Sequence, residues 1–225
     1  MTNAGPNTLS NWAERAFYSP FFLALAIGLS FWWGLDSLPL FDLDEGAFSE
    51  ATREMFARNN FVSTWLNGVP RHDKPILIYW FQALGYLLLG NTEAAYRLPS
   101  AIFASLWALA IFQFVKQQFN RRAAYMAAYI VVFAADISII GKAATADALL
   151  NLLLALTFFD VFRFLKSDAG TGSTPLLWRL YLWVALGFLT KGPIAIAVPA
   201  VAASLLVLST QQWQHWLKAA FFWPG

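Results

Sequence analysis

The residues best suited to chemistry lie in two charged motifs in the first third of the chain. The first is FDLDEGAFSE, residues 41–50, in which Asp44 and Glu45 are adjacent carboxylates. A carboxylate can serve as a general base or as a substrate ligand. The same pair also suits the N-cap and first turn of a helix. The motif alone therefore leaves a catalytic and a capping interpretation open.

The second motif is GVPRHDKPILIYW, residues 68–80, with Asp73 and Lys74 side by side. Lys74 precedes a proline, so we expect extended backbone there and a helix with Pro75 in its first turn. One interpretation is a cation whose stem is buried and whose charge lies among lipid headgroups. The other is a mixed-charge pocket that neutralises a phosphate while one carboxylate stays ionised. We predict that Asp44 and Lys74 share one water-accessible hollow.

Four more ionisable residues stand at the ends of apolar stretches, namely Arg97, Lys142, Asp147 and Lys191. Each alone is typical of a side chain that anchors a helix at the membrane surface. All four fall on the same predicted side of the membrane as the two motifs. Their convergence favours a site, because charges within a membrane tend to face a partner or a wet cavity.

The composition indicates that the segments carrying these charges lie in a membrane. Of 225 residues, 59% are hydrophobic and 12% charged, and the mean hydropathy is +0.52. Soluble domains average about 45–50% apolar and about 25% charged residues. The chain is therefore a membrane protein, which excludes a disordered chain, a coiled coil or a secreted disulfide scaffold. The absence of cysteine excludes thiol chemistry, and a dispersed net charge of +2 argues against a nucleic-acid partner.

A membrane-spanning helix needs about 20 apolar residues. Six stretches approach that length, and we predict spans at residues 17–35, 98–115, 123–141, 144–165, 176–190 and 193–208. The apolar stretch 76–89 is too short to cross comfortably and is predicted to be re-entrant or interfacial. Residues 45–58 carry apolar positions at helical spacing, which predicts a helix lying on the membrane surface.

Lysine and arginine in short loops set the orientation. If the N-terminus is cytoplasmic, the short cytoplasmic loops carry Lys116, Arg121, Arg122, Arg163, Lys166 and Arg179. The short outer turns then hold only Lys142 and Lys191. This asymmetry predicts one long outer segment at residues 36–97, which contains most of the acidic residues of the chain.

The ordered motifs DExxxSExxREM, DKPxxxYW, YRLPSA, KxxxxD and FLTKGPIA resemble those of membrane glycosyltransferases related to aminoarabinose transferase and the protein O-mannosyltransferases. The resemblance runs from about residue 17 to the end. It implies an all-α, polytopic transmembrane helical bundle of the C-type glycosyltransferase fold, incomplete, whose long outer loop carries interfacial helices. Family members are much longer, so the chain resembles their N-terminal portion.

The activity implied by this resemblance is transfer of a hexosyl or pentosyl group from a polyprenyl-phosphate carrier to a lipid, glycan or protein acceptor. The reaction would take place on the outer face of the bacterial cytoplasmic membrane, in contact with membrane lipids. A secondary transporter and a non-catalytic membrane scaffold are the alternatives. A transporter would place its site near the midplane on discontinuous helices, whereas these charges cluster at one face.

Residue roles follow from the same resemblance. Asp44 matches the family's catalytic aspartate, with Glu45 beside it. The predicted substrate-binding residues are Lys74, Tyr79, Arg97, Lys142, Asp147 and Lys191. In an inverting transfer, Lys74, Arg97 and Lys142 would stabilise the leaving phosphate, and Asp44 would accept the acceptor's proton. Asp73 replaces a glutamate that in the aminoarabinose transferases is associated with a divalent metal ion. The resemblance therefore implies Asp73 as the metal ligand, with a side chain one methylene group shorter than that glutamate.

Overall fold

The computed structural model describes residues 14–41, 44–166 and 173–210. Within these ranges the chain is mostly α-helical, with a π-helical turn (Gly28–Trp32) and one short hairpin. The helices are α1 (Pro20–Ile27), α2 (Glu45–Ala57), α3 (Leu77–Leu89), α4 (Glu93–Gln118), α5 (Arg121–Phe133), α6 (Ala135–Ile140), α7 (Asp147–Lys166), α8 (Ser173–Lys191) and α9 (Ile194–Thr210). The hairpin strands are β1 (Thr64–Leu66) and β2 (Val69–Arg71).

The longest helix, α4, sets the height of the bundle. It begins where the Thr92 side chain accepts a hydrogen bond from the Ala95 N–H at 3.2 Å. Its 26 residues rise about 39 Å, which exceeds the roughly 30 Å of a hydrocarbon core. Among the described residues, α4 and α7 have the length and hydropathy of membrane spans. The predicted spans 98–115 and 144–165 lie largely within these two helices.

The predicted span 123–141 is two helices rather than one. Ala134 has an extended backbone, with φ −65° and ψ 123°, and separates α5 from α6. The break exposes the Val132 carbonyl, which accepts hydrogen bonds from the Ser30 hydroxyl at 2.7 Å and the Ser138 hydroxyl at 3.0 Å. Hydropathy averaged over residues 123–141 did not reveal the break, because Asp136 is the one charged residue in that stretch.

Helix α3 begins at Leu77, two residues later than predicted from Pro75. The preceding chain instead forms the β1–β2 hairpin, in which Leu66 pairs with Val69. Asn67 and Gly68 form its turn, with φ of 52° and 79°. Two consecutive positive φ angles at Asn-Gly are the mark of a type I′ turn. The all-α prediction did not include this hairpin, although the Asn67-Gly68 pair is a sequence signal for such a turn.

Two apolar clusters hold the helices together. The first joins α1, α4 and α5, and the small residues Ala101, Ala104 and Ala108 are fully buried within it. Small side chains let membrane helices approach closely. The second cluster joins α2 and α3 to α7 through residues that include Phe48, Met55, Tyr79, Leu149 and Leu153. Helix α2 therefore packs its apolar face against the bundle and not only against lipid.

Helices α3 and α4 meet at Gly85. A Cβ atom at this position would lie 2.1 Å from the Ala95 carbonyl oxygen. Glycine is therefore required for the close approach of the two helices. This contact fixes α3, which carries Tyr79 and Gln82, against the end of α4 that carries Arg97.

A buried carboxylate joins α7 to α8 at the end of the bundle away from these residues. The Asp160 side chain is fully buried. It accepts hydrogen bonds from Arg163 at 2.7 Å, from Arg179 at 3.1 Å and from the Trp183 indole at 3.0 Å. Both helices are therefore linked by a polar contact that hydropathy alone does not show.

Candidate functional site

Asp44 has a side chain that is exposed to solvent. It lies immediately before α2 with φ −98° and ψ −59°, and its side chain makes no capping hydrogen bond. Among the described parts of the chain, its carboxylate has no hydrogen-bond or ion-pair partner. Asp44 therefore occupies the N-cap position, as predicted, but its carboxylate does not cap the helix.

Glu45, the next residue, is buried in an ion pair with Arg97. The Arg97 Nε and Nη2 groups donate to the two carboxylate oxygens at 2.8 and 2.7 Å. The backbone N–H groups of Phe41 and Ala144 donate to the same carboxylate at 2.9 and 2.7 Å. A carboxylate offers about four lone-pair sites, so this one is saturated. The geometry does not support the prediction that Glu45 acts directly on a substrate.

Arg97 is saturated as well. Besides its two bonds to Glu45, it donates to the carbonyl oxygens of Leu35, Leu38 and Pro39 at 2.9, 2.7 and 3.1 Å. A guanidinium group has five N–H donors, and all are used. The prediction that Arg97 binds substrate is therefore not supported, and its side chain instead ties the chain after α1 to the start of α2.

The pKa of Glu45 reflects this environment. Burial alone would raise it, and the hydrogen bonds from Arg97, Phe41 and Ala144 together with the Arg97 charge outweigh burial. The pKa of Glu45 therefore lies below its ordinary value, and the carboxylate is ionised at neutral pH. Glu45 and Arg97 form a fixed support directly beside the free carboxylate of Asp44.

Lys74 lines a cavity of about 550 Å³ between the hairpin, the start of α3 and the turn between α8 and α9. Three cationic side chains line it, those of Arg71, Lys74 and Lys191, against the single carboxylate of Asp73. The other lining residues are Val62, Ser63, Thr64, His72, Pro75, Ile76, Phe188, Gly192 and Pro193. A cavity with this excess of positive charge is suited to an anion such as a phosphate.

The predicted residues Asp147 and Lys191 contact each other. Lys191, at the end of α8, donates a hydrogen bond to the Asp147 carboxylate at the start of α7. Each side chain is about one third exposed, at 36% and 29%. The pair therefore places the Lys191 ammonium at the wall of the cavity without burying it.

Arg71 was not among the predicted site residues, although the motif containing it was recognised. Its guanidinium lies 5.5 Å from the centre of the Phe48 ring, and Phe48 in turn packs on Tyr79 with ring centres 5.4 Å apart. Arg71 Nε and the Tyr79 hydroxyl are buried, and neither has a hydrogen-bond partner among the described residues. Burial raises the pKa of Tyr79 to about 12, so the phenol stays protonated. Two unpaired donors thus lie close to the cavity.

Asp44 is not among the described residues that line this cavity. The shared hollow predicted for Asp44 and Lys74 is therefore not shown. Phe48 of α2 follows Asp44 by four residues, about one helical turn. That spacing corresponds to about 6 Å along the helix axis. The Phe48 ring lies against Arg71 of the cavity wall, and no described contact joins the Asp44 side chain to that cavity.

The turn that contains Lys142 is held against the same support. The Ala144 N–H binds Glu45, and the Ala144 carbonyl accepts from the Gln82 amide at 3.1 Å. Gln82 is fully buried and also accepts a hydrogen bond from Thr52 at 2.8 Å. Lys142 itself is half-buried. Its ammonium forms no hydrogen bond or ion pair with the parts of the chain that the structure describes.

The residues present do not form a metal site. Across the described ranges, no group of three or more histidine, cysteine, aspartate or glutamate side chains is placed to hold an ion. Asp73, the predicted ligand, is bound by Arg71 at 3.1 Å and Lys74 at 3.4 Å. Burial would raise the pKa of Asp73, and these two cations lower it below its ordinary value. The Asp73 carboxylate is thus engaged by protein cations.

Two solved structures share this arrangement of helices. The crystal structure of ArnT from Cupriavidus metallidurans bound to undecaprenyl phosphate superposes with a TM-score of 0.81 at 26% identity, covering 88% of this chain and 37% of that one. Its apo structure gives a TM-score of 0.80 at 25% identity, covering 96% and 39%. The chain therefore has the all-α fold of membrane glycosyltransferases, as predicted.

The family described as dolichyl-phosphate-mannose-protein mannosyltransferase matches residues 73–225. Because this match covers more than half of the sequence, the chain belongs to that family. It is also similar to the undecaprenyl phosphate-alpha-4-amino-4-deoxy-L-arabinose arabinosyl transferases of two bacteria. For the Aeromonas hydrophila protein the identity is 34%, covering 86% of this chain and 34% of the relative. For the Aeromonas salmonicida protein it is 33%, over the same shares. The chain thus spans about a third of the length of the relatives it matches.

Proposed function

We propose that the chain is part of a glycosyltransferase that moves a sugar from a polyprenyl-phosphate carrier to a lipid, glycan or protein acceptor. The observation that carries the proposal is the cavity lined by Arg71, Lys74 and Lys191, in a chain whose fold matches a protein crystallised with undecaprenyl phosphate. The names of its relatives as arabinosyl transferases favour transfer of a pentosyl group.

The cationic cavity supplies what the leaving group needs. During transfer, the bond between the anomeric carbon and the phosphate oxygen breaks, and its electron pair moves to the phosphate. Lys74 and Lys191 would stabilise that charge, since donors already in place when charge develops cost no reorganisation during the reaction. The unpaired Arg71 Nε and Tyr79 hydroxyl would add neutral or cationic donors to the same group.

Asp44 is proposed as the general base. The acceptor hydroxyl would attack the anomeric carbon from the face opposite the phosphate, giving inversion, and its proton would pass to the Asp44 carboxylate. Support comes from the exposure of Asp44 and from the lack of any capping bond to it. If the acceptor is already an anionic phosphate oxygen, no proton is removed, and Asp44 would orient the acceptor.

Glu45 and Arg97 are positioning residues in this proposal. Their saturated ion pair fixes the residue that follows Asp44 to the end of α4 and to the turn at Ala144. Lys142, which extends from the same turn, is proposed to contact the substrate rather than the protein. No catalytic step is assigned to Glu45.

The proposed location is the bacterial cytoplasmic membrane, with several spans and with the site on the non-cytoplasmic side. The lysine and arginine asymmetry of the short loops supports this orientation. Asp44, Lys74 and Lys191 then share the outer side with the polar end of α4.

The test measures transfer from a labelled polyprenyl-phosphate sugar in membranes that contain the protein. We expect Asp44→Asn to lower the transfer rate by at least about a hundredfold, the scale of a lost general base. Lys74→Ala should raise the KM for the labelled donor and lower kcat. Absence of transfer from any polyprenyl-phosphate sugar by the unaltered protein would overturn the proposal.

Glu50→Gln and Arg53→Ala serve as matched controls. Both residues are on α2, and they form an exposed ion pair with side chains 31% and 48% accessible. Glu50→Gln removes one negative charge and Arg53→Ala one positive charge, as Asp44→Asn and Lys74→Ala do, and neither residue lines the cavity. Both control variants should therefore transfer at the unaltered rate. Near-normal transfer by Asp44→Asn would remove Asp44 from the mechanism while leaving the cationic cavity to be tested through Lys74.

A further inference from the structure

A second cavity lies between α1, α4 and α5, at the other end of α4 from Arg97. Its volume is about 650 Å³. Its walls are largely apolar, with Leu23 and Ile27 from α1 facing Leu109 and Phe112 from α4. We call it the α1–α4–α5 groove. It shares no lining residue with the cavity of Lys74.

Two cations stand at one end of this groove. Lys116 belongs to the last turns of α4, and Arg121 is the first residue of α5. The Arg121 guanidinium lies over the Tyr125 ring at 5.6 Å and 3.5 Å from the Tyr18 carbonyl oxygen. Lys116 is exposed and has no hydrogen-bond or ion-pair partner among the described residues. No described aspartate or glutamate lines the groove.

The cationic end lies at the membrane surface opposite the candidate site. Arg97 and Lys116 are 19 positions apart on the continuous helix α4, which corresponds to about 28 Å along its axis. That length is close to the roughly 30 Å thickness of a hydrocarbon core. With Arg97 at the outer surface, Lys116 and Arg121 reach the inner surface, while the apolar walls lie at the depth of acyl chains.

We propose that the α1–α4–α5 groove binds an anionic glycerophospholipid of the inner leaflet. Its phosphate would contact Lys116 and Arg121, and one acyl chain would lie along Leu23, Ile27 and Phe112. Charge complementarity selects this occupant, because paired cations between membrane helices on the cytoplasmic side are suited to anionic headgroups. A zwitterionic lipid offers the same acyl chains but no net negative charge. This inference does not depend on the proposed transfer reaction.

The test uses Trp32, which lines the groove. The protein is reconstituted in phosphatidylcholine vesicles that contain increasing fractions of phosphatidylglycerol with brominated acyl chains, which quench tryptophan on contact. Subtracting the signal of a Trp32→Phe variant isolates Trp32. Half-maximal quenching should need at least threefold less brominated phosphatidylglycerol than brominated phosphatidylcholine. Equal quenching by the two lipids would overturn the proposal. In this comparison Lys116 and Arg121 are both unchanged.

Variants then test the cations. Replacing both Lys116 and Arg121 by glutamine should remove the threefold preference for phosphatidylglycerol. The matched control replaces Arg122 and Lys166 by glutamine, which removes two charges from the same predicted side without changing the lining of the groove. The control should keep the preference. A preference that survives in the first variant, or that is lost equally in the control, would show a general surface attraction and overturn the site.

Discussion

Substituting Glu45 by glutamine tests whether this residue positions the site or reacts with the substrate. The change keeps the shape of the side chain and removes its charge. Both members of the Glu45–Arg97 pair are buried, with side chains only 8% exposed. Breaking a buried ion pair by neutralising one partner costs about 3–5 kcal/mol, because the other charge is left uncompensated. Four N–H groups now donate to the Glu45 carboxylate. The NH2 group of a glutamine would face some of them, and two donors cannot form a hydrogen bond with each other.

A loss of about 3–5 kcal/mol corresponds to a fall in Tm of roughly 6–20 °C for a chain of this size. The assay is thermal unfolding of the purified protein in detergent, followed by the fluorescence of its tryptophans. Asp44→Asn, one residue away, provides the comparison, because its carboxylate has no partner in the described structure. We expect Asp44→Asn to leave Tm unchanged while transfer is lost, and Glu45→Gln to lower both.

The refuting result is a Glu45→Gln protein whose Tm equals that of the unaltered protein and whose transfer is abolished. Such a protein would show that the charge of Glu45 is needed for the reaction and not for the fold. A double substitution of Glu45 and Arg97 by uncharged residues separates the cases further. If the ion pair only positions the site, the double variant should unfold at a higher temperature than Glu45→Gln, because no uncompensated charge remains buried.

Three further predictions concern stability. Asp160→Ala should lower the free energy of unfolding by about 3 kcal/mol. This is the low end of the range for breaking a buried ion pair, because the two arginine partners of Asp160 are partly exposed. An unchanged Tm would show that Asp160 does not link α7 to α8. Gly85→Ala should cost about 1–3 kcal/mol through overpacking against the Ala95 carbonyl, whereas Gly90→Ala, where no atom lies within 4 Å of the new Cβ, should show no clash and only the strain of its positive φ. The pKa of Glu45 is lowered in the fold. The ionised carboxylate therefore stabilises the protein fully above the ordinary glutamate pKa of about 4.3, and this stabilisation is lost as the pH falls through the folded pKa. When Tm is measured from pH 7 to pH 3, we expect it to decrease once the pH is below about 4 in the unaltered protein, and we expect that part of the decrease to be absent in Glu45→Gln.

Composition and motif order predicted the fold class correctly, because hydropathy over long stretches determines which segments can become membrane helices. Helix α2 was also predicted closely, with Glu45 as its first residue. Local features that depend on a few backbone angles were not predicted. The extended backbone at Ala134 follows the apolar run 130–133, and no propensity there separates it from a helix. The nearby Val132 carbonyl accepts a hydrogen bond from Ser30, which lies about a hundred positions earlier in the chain.

The candidate site was predicted as a set of residues more successfully than as a set of contacts. Lys74 and Lys191 do line one cavity, and Asp147 holds Lys191. Sequence cannot distinguish a charge that faces substrate from one that faces protein, because both occur at the ends of apolar segments. Arg97 illustrates the point, since its partners at Leu35, Leu38 and Pro39 are backbone carbonyls, which no side-chain pattern reveals.

The serine contact across the α5–α6 break has a consequence for biogenesis. The Val132 carbonyl obtains a hydrogen bond from Ser30, a residue 102 positions earlier. In lipid an unsatisfied backbone carbonyl costs several kcal/mol. The Ser138 hydroxyl of the third hydrophobic segment also donates to this carbonyl, and the first segment adds the shorter of the two hydrogen bonds. The α5–α6 break is thus expected to reach its complete set of hydrogen bonds only once the first and third hydrophobic segments lie side by side in the bilayer.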